Sequence, residues 1–337
     1  MRLKRIYTLS EEKVEKSYLE AVNEAISEEI ASDENVIFFG EDIGIYGGAF
    51  GASRGLWEKY GKKRIIETPI SENSFVGIAI GAALTGLKPI VEIMFMDFIT
   101  LAMDQIVNHG TKLRYMYGGQ VSVPIVIRTP GGGGRRYGSS HSQSLEGWFM
   151  RVPGLKIATP SNPNDAKWML RYAVQDNNPW LIVESKKLYS MKGEIKDKIE
   201  LPVGKAKIVV EGSDCTIITY SRMVEESLKA AAELKKENAL SIEVIDLRTL
   251  SPLDIDSVQA SIEKTGKAVV VEEGVRTCGI GAEISARISE TCFESMKKPV
   301  LRIAAEEVPV PMSPTLEDAV LPDAKKIKTQ ILSFLGK

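Results

Sequence analysis

The sequence predicts an α/β fold made of two domains, each a mainly parallel sheet flanked by helices. Three observations lead to this prediction. The 337 residues exceed what one hydrophobic core normally organises. Short apolar, β-branched runs alternate with segments of helical periodicity, as in parallel sheets covered by helices on both faces. A charged, weakly periodic stretch at 185–205 separates two such sets, so we place domains at 1–195 and 196–337.

The individual elements follow from the same patterns. The first domain has predicted strands at 36–40, 89–93, 123–129, 155–160 and 180–185, and predicted helices at 15–32, 71–86, 100–117 and 162–176. The second has predicted strands at 215–220, 241–250, 268–274 and 300–305, and predicted helices at 222–237 and about 280–292.

Composition excludes several function classes. The 43 basic and 45 acidic residues give a net charge of −2, which argues against electrostatic binding to nucleic acid or to an anionic membrane. The longest apolar run, 75–87, is shorter than the roughly 18 residues of a membrane span, and 1–16 lacks the apolar core of a signal peptide. We therefore expect a cytoplasmic protein. Three dispersed cysteines and two histidines favour neither a disulfide framework nor a zinc site.

A glycine-rich loop follows one predicted strand and leads to a histidine. The loop, RTPGGGGRRYGSSHSQS at 128–144, lacks the lysine that a phosphate-binding loop needs, because Ser139 stands there. It is expected to be flexible and mildly basic, at the sheet edge where α/β proteins bind ligands. Position alone leaves His141 equally compatible with catalysis and with a surface role, whereas His109, inside a helical pattern, is more typical of structure.

A second candidate is Glu72, in the first turn of the helix predicted after Ser71. Ser71 is the expected N-cap. The helix is almost uncharged from Phe75 to Leu87 and is therefore expected to be buried. Glu72 either complements the helix dipole or serves as an acid that hydrogen-bonds a heterocyclic nitrogen. Nearby, the apolar run at 94–98 is more typical of a core than of a cofactor site.

Several motifs in one order resemble a known family. They are GEDIG, SRGLWEKYG, RIIETPISE, VEIMFMDF, DQIVNHGTK, HSQS and VPGLKIATPSNPNDAKWML, followed by DLRTLSPLD and GIGAEISARI in the second domain. Together they resemble the β-subunit of the thiamine-diphosphate-dependent first component of 2-oxo acid dehydrogenase complexes, a family with pyruvate, branched-chain and acetoin members. The resemblance covers essentially the whole chain and implies a transketolase-like pyrimidine-binding domain followed by a transketolase C-terminal domain.

The resemblance also implies roles for particular residues. Glu72 would hold the aminopyrimidine of thiamine diphosphate, and Met94 and Phe98 would line that ring. His141 would lie near the thiazolium, shuttle protons and assist acyl transfer to a lipoyl group. The glycine-rich loop would then be a mobile lip of the active site. For Arg135 and Arg136 the alternatives are a substrate carboxylate, an acidic partner surface or, as the more typical role, solvated charge.

Partners and ions follow from the same resemblance. The chain lacks the G-D-G motif that holds diphosphate and Mg²⁺ in family enzymes, so an α-subunit in an α2β2 heterotetramer would supply that half of the site. The second domain would pair β-subunits and dock the lipoyl-bearing acyltransferase core. A K⁺ site with oxygen ligands would fall on Ile125, Ala173, Asp176 and Asn178.

The substrate assignment leads with pyruvate, followed by acetoin and then branched-chain 2-oxo acids. A self-contained transketolase is disfavoured by the chain length and the missing G-D-G. A non-catalytic scaffold of the same fold is the alternative from another class. The presence of both Glu72 and His141 counts against it.

Overall fold

Two large sheets and a short two-stranded ribbon form the framework of the chain in its computed structural model. The structure describes residues 14–199 and 201–337. Residues 1–13 lie outside the described residues. They include most of the stretch at 1–16 that lacks signal-peptide character and the start of the predicted domain at 1–195. The ribbon pairs β1 (Val14–Ser17) antiparallel with β8 (Lys192–Ile195).

The first sheet has seven strands. In spatial order they are β12 (Thr249–Ser251), β6 (Lys156–Ala158), β7 (Trp180–Ser185), β5 (Val126–Gly131), β4 (Lys88–Glu92), β2 (Val36–Gly40) and β3 (Ile65–Glu67). Every neighbouring pair is parallel except β12 with β6. β12 comes from the second predicted domain but completes the sheet of the first.

Helices and helical turns connect these strands. They are α1 (Tyr18–Ser32), α2 (Leu56–Tyr60), α3 (Glu72–Leu84), α4 (Leu113–Met116), α5 (Glu146–Met150) and α6 (Pro163–Gln175), with 3-10 turns at Met96–Ala102 and Lys186–Leu188 and a π-helical turn at Gln105–Gly110. The single helix predicted at 100–117 is therefore wrong, because that stretch divides into three short helical pieces. α1 begins at Tyr18 because Ser17 and Glu20 cap each other reciprocally.

The second sheet has five strands. In spatial order they are β14 (Leu301–Ala305), β13 (Ala268–Val275), β10 (Cys215–Thr219), β11 (Ile242–Asp246) and the antiparallel β9 (Lys207–Val210). The helices around it are α7 (Arg222–Asn238), α8 (Ile255–Thr265), α9 (Ile280–Thr291), α10 (Pro314–Val320) and α11 (Ala324–Leu335), with a 3-10 turn at Phe293–Ser295.

The core explains why the strands of the first sheet are apolar throughout. Successive residues of a strand point to opposite faces, and both faces are covered here. In β2, Phe38 packs into one hydrophobic cluster and Phe39 into the other. In β4, Ile90 and Val91 divide in the same way. Each strand therefore contributes to two cores at once.

A buried ion pair joins the two halves of the chain. Arg248, just before β12, donates to both carboxylate oxygens of Asp165 in α6, at 3.1 and 2.8 Å. Both side chains are almost fully buried. The Thr159 amide donates to the Arg248 carbonyl at 2.8 Å, and Ser161 donates to Asp246 at 2.5 Å. The ends of β6 and β11 are thereby fixed to each other.

Within residues 14–199 and 201–337, helices of the length and apolar character needed to cross a bilayer were not found.

We predict that Asp165→Asn destabilises the fold by about 3 kcal/mol, because the buried guanidinium of Arg248 then loses the carboxylate with which it pairs directly. The free energy of unfolding in urea, followed by circular dichroism, measures the loss. The matched control is Glu283→Gln, which breaks an exposed pair with Arg287 within α9 and should change stability by less than about 0.5 kcal/mol. Equal effects of the two substitutions would contradict the assigned role of the buried pair.

Candidate active site

The candidate site residues follow neighbouring strands at one edge of the first sheet. Parallel strands end at the same edge, and α/β folds bind ligands there. Glu72 follows β3, and Met94 and Phe98 follow β4. The loop with His141 follows β5. Because β3, β2, β4 and β5 are adjacent in that order, the predicted residues form one row along the carboxyl edge.

Two glutamates lie close together at one end of this row. Glu72 begins α3, and Glu41 directly follows β2; each side chain is only 4% exposed. The Ser71 amide donates to the Glu41 carboxylate at 3.1 Å. Ser71 does occupy the N-cap position, but its hydroxyl donates to the Pro69 carbonyl at 3.3 Å and does not cap the helix. Among the described residues, no hydrogen-bond donor reaches the Glu72 carboxylate.

This proximity affects the protonation of Glu41. Burial, together with the nearby charge of Glu72, raises the pKa of Glu41 to about 7. Glu41 lies within the GEDIG motif, but nothing in its local sequence marks it as a site residue. Its proximity to Glu72 depends on the pairing of β2 with β3, which no local pattern reveals.

The helix that carries Glu72 is buried on one face only. Phe75, Val76 and Ala79 are buried, whereas Ile78 is 61% exposed and Leu84 is 41% exposed. The prediction of a buried helix is therefore wrong for this second face. The uncharged residues of α3 therefore cover two faces: one packs against the core, and the other is an apolar surface exposed on the isolated chain.

His141 packs against two aromatic rings that also contact each other. Its imidazole meets Phe95 at a centroid distance of 4.8 Å and Phe98 at 5.2 Å, both edge to face. The Oγ of Ser140 lies 3.0 Å from its Nδ1. Met94 is half-buried in the same segment as the two phenylalanines. The structure thus brings His141 and Phe98 together, and Phe95, assigned to the core from sequence, contributes to the same contact.

The glycine-rich loop is attached to the second half of the chain. The Gly133 amide donates to Glu273 at 2.6 Å, and the Gly134 amide donates to Glu317 at 2.8 Å. Arg136 forms an ion pair with the fully buried Glu317 at 2.6 Å. The preference for solvated charge at Arg136 was wrong, and the loop predicted to be flexible is held by these contacts.

Glycine is required at one position of this loop for a structural reason. Gly132 has a φ of +77°, and a Cβ added there would lie 2.8 Å from a carboxylate oxygen of Glu273. The left-handed conformation and the close approach of the carboxylate both exclude larger residues. Contact with Glu273 therefore accounts for the glycine at position 132, and no phosphate is needed to explain it.

A buried charge network lies next to the site and was missed from sequence. Arg128 of β5 donates to both oxygens of Glu184 in β7, at 2.8 and 2.5 Å, and also to Glu92 of β4. Tyr189 donates to Glu184 at 2.8 Å. All four side chains are buried. Each charge lies in an otherwise apolar strand, where a single sequence gives no indication of its partner.

The four residues expected to bind K⁺ are close together. The Ile125 carbonyl accepts from the Trp180 amide at 2.9 Å, and the Ala173 carbonyl accepts from the Asp176 amide at 3.3 Å. The Asp176 carboxylate accepts from Asn178, Trp180 and Lys156, at 2.8, 2.8 and 2.5 Å. Its side-chain oxygens are therefore already engaged, and carbonyl oxygens are the ligands left for a cation. The K⁺ site stays a prediction.

The folded chain is a transketolase-like protein with a row of candidate ligand-binding residues at the carboxyl edge of its first sheet. Comparison with known families agrees, since residues 15–192 match the transketolase pyrimidine binding domain and residues 204–327 match the transketolase C-terminal domain. A solved structure described as a split gene transketolase, inactive beta4 tetramer, superposes with a TM-score of 0.78 at 20% identity, covering 95% of this chain and 98% of that one. That likeness concerns the fold alone.

Characterised relatives narrow the family further. The chain is 43% identical to the acetoin:2,6-dichlorophenolindophenol oxidoreductase subunit beta of Bacillus subtilis, over 95% of this chain and 97% of that protein. It is 46% identical to the pyruvate dehydrogenase E1 component subunit beta of Gracilaria tenuistipitata, over 90% and 94%, and 43% identical to the human mitochondrial counterpart, over 91% and 87%. The chain belongs to this family of dehydrogenase β-subunits.

We predict that the free energy of unfolding falls as the pH rises from about 5 to 7.5, in part through Glu41. A carboxyl whose pKa is raised in the folded state binds more protons there than in the unfolded chain, so deprotonation favours unfolding. Glu41→Gln should flatten this decline, and the exposed Glu34→Gln should not. Urea unfolding at several pH values measures both variants. Parallel pH profiles for Glu41→Gln and the unmodified chain would contradict the assignment.

Proposed function

We propose that this chain is the β-subunit of a pyruvate dehydrogenase first component, which acts with an α-subunit on thiamine diphosphate. The whole would decarboxylate pyruvate oxidatively and transfer the acetyl group to a lipoyl group. The observation that carries the proposal is Glu72, a buried carboxylate at the start of α3 that no donor reaches among the described residues. A carboxylate that accepts no hydrogen bond within the described residues is free to accept one from a ligand, which supports a role in binding a ligand that brings its own donor.

Glu72 fits the pyrimidine end of the cofactor. Its carboxyl group would hydrogen-bond a ring nitrogen, and the half-buried Met94 and Phe98 two strands along the edge would line the ring. Glu41 lies within the same small region, and its pKa of about 7 makes it able to exchange protons near neutral pH. The pair would thus hold and move a proton where the pyrimidine binds.

His141 would act near the thiazolium of the cofactor. Contacts with Phe95 and Phe98 orient its ring, so the imidazole is preorganised before each catalytic turnover. In that place it would shuttle protons and assist acyl transfer. Thiamine diphosphate itself supplies the carbanion chemistry when bound, and the protein supplies orientation and proton transfer.

The remaining parts of the assembly would come from partners. An α-subunit would hold the diphosphate and Mg²⁺ in an α2β2 heterotetramer, and a lipoyl-bearing acyltransferase core would take the acyl group. The apolar outer face of α3, with Ile78 and Leu84 exposed, supports burial against another subunit. K⁺ would bind at Ile125, Ala173, Asp176 and Asn178, with carbonyl oxygens as its ligands.

Acetoin is the second candidate substrate, and one observation favours it. The Bacillus subtilis acetoin oxidoreductase β-subunit matches over 95% of this chain, slightly more than the 90% matched by the Gracilaria pyruvate dehydrogenase subunit. Branched-chain 2-oxo acids come third. A non-catalytic scaffold is not favoured, because Glu72 is buried and the phenylalanines hold His141.

The test of the proposal is substrate-dependent dye reduction by this chain co-purified with its α-subunit, in the presence of thiamine diphosphate and Mg²⁺. We expect pyruvate to be oxidised faster than acetoin or a branched-chain 2-oxo acid. Preference for acetoin would replace pyruvate by the second candidate. No activity on any of the three, in a stable complex with bound cofactor, would refute the proposed substrates.

We predict that Glu72→Ala lowers turnover by at least about 100-fold while the subunits still assemble, because the lost carboxyl serves the cofactor. Dye reduction measures turnover, and size-exclusion chromatography measures assembly. The control is Glu34→Ala, which removes an exposed carboxylate just before β2, at the opposite end of that strand from Glu41. This variant should retain full activity. Substantial activity in the Glu72 variant would contradict the role given to this residue.

A further inference from the structure

A buried lysine contacts the glycine-rich loop at two points. Lys186 directly follows β7, and none of its surface is exposed. Its Nζ donates to the His141 carbonyl at 2.7 Å. Its own carbonyl accepts from the Arg135 guanidinium, at 3.2 Å from Nε and 2.9 Å from Nη2. One residue therefore holds both the middle of the loop and the histidine at its end.

The ammonium group of Lys186 also shares an aromatic neighbour with the imidazole. Nζ lies 5.2 Å from the centroid of the Phe95 ring and 5.9 Å from that of Tyr137. Phe95 is one of the two rings that contact His141. Lys186 therefore influences His141 through its main chain and through a common side-chain neighbour.

The charge of Lys186 is not neutralised by direct pairing. Within the part of the chain that the structure describes, no carboxylate lies within ion-pair distance of its Nζ. The charged groups that face it are Asp97 from the segment after β4, Arg135 from the loop, and Glu273 and Glu317 from the second half. Burial lowers its pKa to about 8, with the carboxylates opposing that shift.

Burying the ammonium group of Lys186 carries a desolvation penalty that a purely structural contact would not require. An apolar side chain would fill the same space without the cost of desolvating an ammonium group. The ammonium group that is present instead donates, among the described residues, to the carbonyl of a candidate catalytic residue.

We propose that Lys186 is a positioning residue for His141, which fixes its main chain and, with Phe95 and Phe98, the direction of its imidazole. The inference rests on the proposed function, because it takes His141 to serve acyl transfer. Removal of the ammonium group would let the loop and the imidazole shift, and a misplacement of about 1 Å can lower a rate by about 100-fold.

The test compares Lys186→Met and Lys186→Arg in the complex with the α-subunit. Lys186→Met should lower acylation of a lipoyl domain by about 10- to 100-fold and leave cofactor binding, measured by titration, unchanged. Lys186→Arg keeps a charge and a donor and should recover part of the rate. The matched control is Lys187→Met, since Lys187 is exposed and donates to the Gly134 carbonyl of the loop at 3.3 Å, away from His141.

Two further readouts separate positioning from a general structural effect. In a His141→Ala background, Lys186→Met should cause no additional loss of acylation rate, because Lys186 acts through His141. The acylation rate of the unmodified complex should decline as the pH rises past about 8, where Lys186 loses its charge, and this decline should move to higher pH in Lys186→Arg.

Amide hydrogen exchange across 131–141 gives a readout that needs no activity, and Lys186→Met should accelerate it. Unchanged exchange, or an equal loss of rate in the His141→Ala background, would overturn the inference. If the unmodified complex showed no thiamine-dependent activity, the proposed function would fail, and the exchange experiment would still decide whether Lys186 holds the loop.

Discussion

The arrangement of the site depends on one buried cation, Arg128, held between two carboxylates. Glu92, Arg128 and Glu184 come from β4, β5 and β7, three neighbouring strands of the first sheet. Loss of any one of these charges would leave another buried and uncompensated, so the three strand ends are strongly coupled. The segments that follow these same strands carry Met94 and Phe98, the His141 loop and Lys186. Their relative positions therefore follow from the ion network beneath them.

The second half of the chain contributes to the same site. Glu273 and Glu317 accept the amides of Gly133 and Gly134, and Glu317 also pairs with Arg136. The shape of the loop thus depends on carboxylates that lie far along the chain. Both halves of this chain have to fold together before the His141 loop has the form described above.

Much of the architecture is predictable from sequence, because strands covered on both faces must be apolar. This rule gave β2, β4 and β7 nearly as observed. It failed at 100–117, where helical periodicity persists although the backbone changes from 3-10 to π to α. It also failed for α3, since an uncharged helix does not reveal whether a core or an exposed face explains its composition.

Candidate residues could be singled out from sequence where a local pattern marks them and not where distant residues meet. Glu72 became a candidate through the turn before α3 and His141 through the loop after β5, and the family resemblance gave both their proposed roles. Arg136 and Glu317 are 181 residues apart, and Glu92 is 36 residues from Arg128. Such pairs are set by strand order and by the packing of the two halves, which no local pattern contains. Lys186 was missed for the same reason.

The pairing of β12 with β6 affects the order of events during synthesis. Until residues 249–251 have left the ribosome, β6 has no neighbour on one side and exposes an unpaired edge. Such edges are sites of aggregation in partly made chains. The nascent first half therefore carries this open edge until the second half is made, when β12 pairs with β6 and takes the place at the edge of the sheet.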